Sequence, residues 1–402
     1  MTPMSNGHPR VALWNGSGLD NIGDQAIDQV TRRELARRIP GAEFTTFTPW
    51  PGRYCRNTLR IDRSGVWSGQ GKFDAIVIGG GALLVGPPFR DPSSQFFLLG
   101  PYPSRFKDEC PILWNGVCSD AQHRAPAERV WRDFMSSACD RVAYRAVRNA
   151  RTRSYLEDCG VKGSIDVIPD ICVVAGAEVG PRRRSKRATV AVAAGRPVFP
   201  LRFLSQVAGV AAANMDVCDF ALVEMRRYDE ASDYSDDRYT DELERGLAGL
   251  ADGGDVVVSA FGEMYGDDLV CEPLARKLRA PYRRLWDGDL EATLDFFAGV
   301  DVIVGFRLHS CILALSAGTP FIMIDPYHSA HTRTSKMREF AVQCGLERFY
   351  FTLADLLAGR ADVRRAAQDA KDLGRGYIAA VRERLAAELG KHFDRLAGMV
   401  LS

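Results

Sequence analysis

Two charged side chains two residues apart, Arg307 and His309, are the clearest candidates for chemistry in this sequence. They lie between residues 302–304, a β-branched run typical of a buried strand, and residues 310–317, an apolar stretch that predicts a helix. In extended backbone, side chains at positions i and i+2 point the same way. A helix start adds N–H groups and the positive end of the helix dipole. We therefore expect a site for a carboxylate or a phosphate.

The elements around the pair support that interpretation. Gly318 and Pro320 end the predicted helix and residues 321–324 predict the next strand, so the pair follows the carboxyl end of a strand in a βα unit. Open α/β sheets bind their ligands at that edge. The alternative is structural: the arginine pairs with a carboxylate and the histidine is satisfied within the fold.

Composition excludes several classes of function. The chain has 402 residues, of which 46% are hydrophobic and 26% charged, and its net charge is +1. This length predicts two domains, and the balanced charge gives no general attraction to nucleic acid or membrane. No apolar run is long enough to span a bilayer, and residues 1–9 lack the apolar core of a signal peptide. We therefore expect a cytoplasmic protein.

Cysteine and histidine usage indicates neither a disulfide framework nor a metal site. The ten cysteines are scattered without a C-x-x-C pair, which predicts reduced, mostly buried thiols. His328 and His331 are three residues apart, but no cysteine or carboxylate group completes a ligand set. We expect no bound metal.

The first loop of the chain is rich in Gly, Asn and Asp, as a turn from strand to helix requires. It joins a predicted strand over 10–14 to a predicted helix over 25–38. Asn21 and Asp24 are suited to cap that helix or to bound a ligand site. The loop is not G-x-G-x-x-G, which argues against dinucleotide binding.

A second loop consists of glycines. Residues 73–78 predict a buried strand that runs directly into Gly79, Gly80 and Gly81, which allow close approach of a helix or a ligand. The elements that follow alternate, with strands expected over 111–117, 141–147 and 166–168 and helices over 124–137 and 148–160. Such alternation indicates parallel βαβ units.

A domain boundary is expected in residues 176–187, where glycine and proline flank a basic run typical of a solvated linker. The βα pattern then restarts, with strands over 188–193, 220–224, 255–260 and 283–286, helices over 201–214, 238–251, 267–279 and 290–299, and a charged helical stretch over 362–399. These elements predict an α/β fold of two Rossmann-like domains facing across a cleft, with a long C-terminal helix. We place the domains at 9–178 and 188–350, with the anionic donor site in the second, and the helical segment at 351–402.

Motifs in chain order over most of the sequence resemble those of the polysaccharide pyruvyl transferase family. The most characteristic block is Gly305-Phe306-Arg307-Leu308-His309-Ser310, followed by Ala317-Gly318-Thr319-Pro320. The other matching stretches are Asn21-Ile22-Gly23-Asp24-Gln25-Ala26-Ile27, Gly79-Gly80-Gly81-Ala82-Leu83-Leu84, the arginine-bearing helix from Arg148 to Gly160, Pro169-Asp170, and Lys336 ahead of Gly345-Leu346. Asn149 departs from the family, which often has Asp there.

The resemblance implies a GT-B-like fold and transfer of pyruvate from phosphoenolpyruvate to hydroxyls of a sugar, forming a ketal. His309 is then the expected general acid for carbon or for the leaving phosphate, and Asp24 and Asp170 are candidates for the base. Arginines and a helix N-terminus can meet the phosphate charge without a metal, and no nicotinamide or flavin is indicated. The expected substrate-binding residues are Arg307, Arg148, Lys336, Asn21, Gly80, Gly81 and Ser310.

Three alternatives stay open on the sequence alone. The first is a GT-B glycosyltransferase that uses a nucleotide sugar, and the second is a family member that acts in small-molecule biosynthesis. The third is a binding or scaffold protein. Contacts to the acceptor are expected from the variable stretches 53–71, 87–105 and 229–237, which carry Tyr, Trp and Arg.

Overall fold

A computed structural model describes residues 8–15, 21–48, 58–60, 73–84, 110–119, 129–176, 189–195, 236–251, 254–262, 266–285, 289–326 and 335–402. The chain forms two compact units: unit 1 from residues 1–19, 24–171 and 387–402, and unit 2 from residues 20–23 and 172–386. The change of unit thus comes before the basic run. Cys172 and Val173 are already fully buried, which places them in a core rather than in a linker.

Unit 1 is built on a parallel sheet of six strands in the order β3-β2-β1-β4-β6-β8. Two short ladders, β5 with β7 and β9 with β10, are also parallel. The strands are β1 (Arg10–Trp14), β2 (Glu43–Thr48), β3 (Thr58–Arg60), β4 (Ala75–Gly79), β5 (Ala82–Leu84), β6 (Ile112–Asn115), β7 (Cys118–Ser119), β8 (Val142–Tyr144), β9 (Ala146–Val147) and β10 (Asp166–Val167). The helices are α1 (Ile22–Arg38), α2 (Arg129–Asp140) and α3 (Ala150–Asp158). Because β4 is buried along its whole length, the sheet is covered on both faces.

Unit 2 repeats this architecture with the parallel order β13-β12-β11-β14-β15-β16. Its strands are β11 (Thr189–Ala193), β12 (Asp255–Ala260), β13 (Tyr282–Arg284), β14 (Val302–Gly305), β15 (Phe321–Asp325) and β16 (Tyr350–Thr352). Its helices are α4 (Asp236–Ala251), α5 (Asp268–Lys277), α6 (Leu290–Gly299), α7 (Leu308–Ser316), α8 (Lys336–Cys344), α9 (Leu353–Leu357) and α10 (Val363–Leu401), the last of which continues into unit 1.

Each sheet has a point where the order of its strands reverses, between β1 and β4 in unit 1 and between β11 and β14 in unit 2. Loops that leave the carboxyl ends of two such strands diverge to opposite faces, and the crevice between them is where open α/β sheets bind ligands. The glycine loop follows β4, and Arg307 and His309 follow β14. Both candidate loops therefore lie at a switch point.

Some predicted elements differ from the observed ones. The single strand expected over 141–147 is two short strands, because β8 pairs with β6 and β9 pairs with β10. Helix α10 is interrupted at Gly374, whose φ of 79° is a left-handed conformation that favours glycine. The predicted helix over 201–214, the strand over 220–224 and the basic run lie outside the described residues, as do His328 and His331.

Helix α10 belongs to both units because its two ends are anchored differently. Arg375 donates to the carbonyls of Ala298 and Val300, at the C-terminal end of α6, at 2.9 and 2.6 Å. Such carbonyls attract a cation. Near the other end, Arg395 forms an ion pair with Asp166 of unit 1 at 2.6 Å. The sequence predicts a separate helical segment over 351–402. In the structure this segment is divided between the units, with residues 351–386 in unit 2 and 387–402 in unit 1.

The described residues contain eight of the ten cysteines and most of the predicted helices. The eight cysteines there form no disulfide, and all of them except Cys110 are buried. No helix found in this portion has both the length and the apolar character that a bilayer crossing demands.

A buried histidine anchors the end of α10 in unit 1. His392 is 4% exposed, with Nδ1 2.9 Å from the Tyr144 hydroxyl and Nε2 2.8 Å from Asn115 Oδ1. Asn115 Oδ1 can only accept, so Nε2 carries the proton and Nδ1 accepts from Tyr144. The imidazole is thus neutral. Burial, helped by the positive charges of Arg38 and Arg395, lowers the pKa of His392 from 6.5 to about 4.

This depressed pKa predicts that the protein loses stability on mild acidification. Between pH 6.5 and 4 the unfolded histidine binds a proton that the folded one refuses, so this contribution to stability is present above pH 6.5 and falls as the pH drops. We expect about 2 kcal/mol of unfolding free energy to be lost between pH 7 and pH 5. Urea unfolding at both pH values measures it, and His392→Gln should lose correspondingly less on the same acidification. An equal pH dependence in both proteins would contradict the assignment.

Candidate active site

The turn after β14 places Arg307 at the N-cap of α7, in extended backbone with φ −114° and ψ 140°. The side chain is only 5% exposed, and its Nη2 lies 2.5 Å from Asp267 Oδ1. The structure therefore shows the carboxylate partner that the sequence left open as the alternative for Arg307. Asp267, which sequence reasoning did not single out as a site residue, is the residue before α5.

Asp267 connects Arg307 to a second segment of unit 2. It is fully buried, and its Oδ2 accepts from the backbone N–H of Gly262 at 3.0 Å. Burial raises the pKa of the Asp267 carboxyl, and the Arg307 guanidinium opposes that rise. The carboxylate thus fixes both the direction of the guanidinium and the end of β12.

Gly195, two residues after the end of β11, allows the backbone to approach the guanidinium. A Cβ on Gly195 would lie 2.7 Å from Arg307 Nε and 3.0 Å from Asp267 Oδ1, so no side chain fits there. The Gly195 carbonyl accepts from the buried Tyr239 hydroxyl at 2.8 Å. Both sides of the switch point, β11 and β14, therefore contact the same ion pair.

Ser310 shapes the turn. Its hydroxyl donates to the Arg307 carbonyl at 2.6 Å, and the side chain is fully buried. A Cβ on Gly305 would lie 2.5 Å from Ser310 Oγ and from Cys311 Sγ, so the tight turn requires glycine. These contacts show that Ser310 stabilises the turn, and its expected role as a substrate ligand stays a prediction.

His309 lies on the first turn of α7 and contacts the first turn of α1. A Cβ on Gly23 would lie 2.3 Å from His309 Nδ1 and 2.5 Å from Cγ. Asn21, an expected substrate ligand, accepts from the Gly23 N–H through Oδ1 at 2.9 Å. Cys172 Sγ also lies within 4.8 Å of a ring nitrogen of His309. Gly23 and Cys172 are thus neighbours of the histidine that its motif did not reveal.

Lys336 occupies the first position of α8, whose N-cap Ser335 accepts from the Arg338 N–H at 3.1 Å. The lysine is half-buried. It therefore follows β15, the strand next to β14 in the sheet.

In unit 1 the expected ligand Arg148 and the expected base Asp170 form an ion pair with each other. Arg148 Nη1 lies 2.8 Å from Asp170 Oδ2, and the two residues are 8% and 3% exposed. The next residue, Asn149, is the N-cap of α3 and accepts from the Thr152 N–H at 2.8 Å. The side-chain oxygen of an asparagine can accept this hydrogen bond as well as that of an aspartate. The contact therefore explains why Asn149 can replace the Asp that the family often has at this position.

The glycine loop of unit 1 brings β4 close to α1. Gly80 and Gly81 have φ of 73° and 85°, and a Cβ on Gly80 would lie 2.1 Å from the Ile27 side chain. A Cβ on Gly81 would lie 3.6 Å from Asp24 Oδ1, an ordinary contact distance. Asp24 is half-buried in the first turn of α1. The structure therefore places Gly81 and Asp24 together, while Gly80 serves helix packing.

Sequence reasoning missed four residues of these sites: Asp267, Gly195, Gly23 and Cys172. In the sequence alone, a carboxylate at a helix start, such as Asp267, is indistinguishable from an ordinary cap. Gly195 and Gly23 are single glycines in or beside polar loops. Gly23 lies within a motif already noted, so its position one residue before Asp24 was the one signal available.

Several solved structures are similar to the chain at low sequence identity. S. aureus MnaA with UDP is 12% identical, with a TM-score of 0.50 over 96% of this chain and 96% of that chain. Acinetobacter baumannii MurG is 10% identical, with a TM-score of 0.43 over 94% and 95%. The E. coli ADP-heptose LPS heptosyltransferase II is 10% identical, with a TM-score of 0.42 over 90% and 98%. With two Rossmann-like units and the long C-terminal helix, the chain has a GT-B-like fold, which confirms the expected fold class.

No curated protein matches the chain by sequence. The model of the polysaccharide pyruvyl transferase family matches residues 21–329, well over half of the chain. The chain therefore belongs to the polysaccharide pyruvyl transferase family, as its motifs predicted, and acts as a polysaccharide-modifying transferase. The span includes Asn21, Asp24, Arg148, Asp170, Arg307 and His309, and ends before Lys336.

Proposed function

We propose that this chain transfers pyruvate from phosphoenolpyruvate to two hydroxyls of a sugar, forming a cyclic ketal and releasing phosphate. The observation that carries the proposal is the position of Arg307 and His309 at the switch point of unit 2, within the span that matches the family. Phosphoenolpyruvate presents a carboxylate and a phosphate on a three-carbon enol. N–H donors at the start of α7 suit such an anion.

The proposed reaction has a balanced set of proton transfers. His309 protonates the methylene carbon, so the adjacent carbon becomes oxocarbenium-like and is attacked by the first hydroxyl. The bond from that carbon to the phosphate oxygen then breaks, and phosphate leaves with a proton. The second hydroxyl attacks the same carbon and closes the ketal. The two hydroxyls lose two protons in total, and the methyl carbon and the phosphate gain one each.

The ion pairs bear on how the donor is bound. Asp267 offsets the charge of Arg307, and Asp170 offsets that of Arg148, so each arginine offers directed N–H groups more than net charge. The N-terminal end of α7 adds attraction for the donor, and we propose Lys336 as a further cation that contacts it. No metal or redox cofactor is required by this scheme.

Between the two carboxylates considered for the base, the greater exposure of Asp24 favours it, because an acceptor hydroxyl can reach it more readily. Asp170 Oδ2 already accepts from Arg148 at 2.8 Å, and both side chains are buried. Asp24 is half-buried, and its carboxylate lies beside Gly81 of the glycine loop. We assign the base to Asp24 and the support of Arg148 to Asp170. The acceptor stretches 53–71, 87–105 and 229–237 lie almost entirely outside the described residues, so the acceptor is proposed as a sugar without a finer identity.

Phosphate release and ketal formation test the proposal together. The protein is incubated with phosphoenolpyruvate and a panel of oligosaccharides that bear 1,2- or 1,3-diols, since a cyclic ketal needs such a pair. We expect phosphate release that depends on the acceptor and a new methyl signal in the proton NMR spectrum. In D2O that methyl should carry one deuterium, because its third hydrogen comes from an exchangeable acid. Turnover of UDP- or ADP-sugars on the same panel, with no use of phosphoenolpyruvate, would overturn the proposal in favour of glycosyl transfer.

A further inference from the structure

The first turn of α1 contains a glycine at a position where alanine would be better tolerated by the backbone. Gly23 is the second residue of α1 and has no left-handed φ, and glycine in a helix is less favourable than alanine. The reason for a glycine there is spatial. The three nearest atoms to a Cβ on Gly23 all belong to His309: Nδ1 at 2.3 Å, Cγ at 2.5 Å and Cβ at 2.6 Å.

The turn that carries Gly23 is itself fixed within unit 2. Asn21 forms an antiparallel bridge with Gly262, and the Gly23 N–H donates to Asn21 Oδ1 at 2.9 Å. Gly262 in turn donates to Asp267, whose other oxygen holds Arg307 at 2.5 Å. Arg307 is two residues from His309. The contacts therefore run from His309 to Gly23, and on through Asp267 to Arg307. Arg307 belongs to the same loop as His309.

From this geometry we infer that Gly23 is a positioning residue for His309. The side of the histidine that carries Cβ, Cγ and Nδ1 packs against the backbone of Gly23, so a side chain at position 23 would displace the ring. The effect of that displacement on catalysis rests on the proposed function, whereas the packing of Gly23 against His309 does not.

Gly23→Ala tests the inference, with Gly376→Ala as the matched control. Both glycines lie in helices, but a Cβ on Gly376 meets nothing within 4 Å. We expect Gly23→Ala to lower kcat by about 10- to 100-fold with a much smaller change in the KM for phosphoenolpyruvate, because a misplaced proton donor impairs the chemical step. Gly376→Ala should leave both parameters unchanged.

Two further measurements test the packing of Gly23 against His309 independently of whether the chain uses phosphoenolpyruvate. In protein with 15N-labelled histidine, Gly23→Ala should shift the His309 ring signals, identified by their loss in His309→Ala, while Gly376→Ala should not. In thermal unfolding, Gly23→Ala should lower the Tm of the wild type but raise it in the His309→Ala background, where the collision is gone and only helix propensity remains. Unshifted His309 signals, or the same change in Tm in both backgrounds, would overturn the inference.

Discussion

Replacing Arg307 by methionine is expected to abolish transfer and to lower the unfolding free energy by about 3–5 kcal/mol, because it leaves the fully buried carboxylate of Asp267 without its cation. The loss should be largest at neutral pH. Without the guanidinium, nothing of comparable strength opposes the rise of the Asp267 pKa caused by burial. A carboxyl with a raised folded pKa favours the folded state at low pH, so acidification should reduce the difference from wild type. Chemical unfolding at two pH values measures both effects.

The variant in which Asp267 is also replaced separates stability from function. In Arg307→Met with Asp267→Asn, the asparagine oxygen can still accept from Gly262, and no buried charge is left behind. We expect this double variant to recover much of the lost stability but none of the activity. Recovery of both would mean that Arg307 serves only the fold, and that the donor anion is bound by other groups.

The fold was readable from the sequence because its signals are local. Short apolar runs such as β4 and β14, which both end in a glycine, alternate with helices. That pattern predicts parallel sheets before any contact is known. The single strand predicted over 141–147 was the exception, because β8 and β9, on either side of Arg145, join different ladders, which no local pattern encodes.

The site was readable only in part, for a different reason. The motif around Arg307 and His309 marks where chemistry is expected, and the structure places both residues at the switch point. Their partners come from distant parts of the chain: Asp267 is 40 residues from Arg307, and Gly23 belongs to the first loop. Pairing between a buried charge and its counter-ion depends on three-dimensional proximity, so the sequence could not decide between a ligand contact and an ion pair for Arg307.

His309→Gln is the second change with a large expected effect. If the imidazole donates the proton to carbon, its replacement by an amide that cannot transfer a proton should lower kcat by about 10²–10⁴-fold. Binding of phosphoenolpyruvate, measured by calorimetry, should persist, because the N–H groups at the start of α7 and the side chain of Lys336 are unchanged. His8→Gln, a change at an exposed histidine near the start of β1, is the control and should be without effect.

Chemical rescue then distinguishes a proton donor from a residue that merely fills space. In His309→Ala the site left by the ring lies against Gly23, and free imidazole can enter it. We expect added imidazole to restore part of the lost rate, with a pH dependence that follows the titration of imidazole itself. Neutral molecules of similar size without an acidic N–H should fail to do so. If they rescue equally well, or if kcat is lost together with binding of phosphoenolpyruvate, then His309 supports the shape of the site and the proton must come from another group.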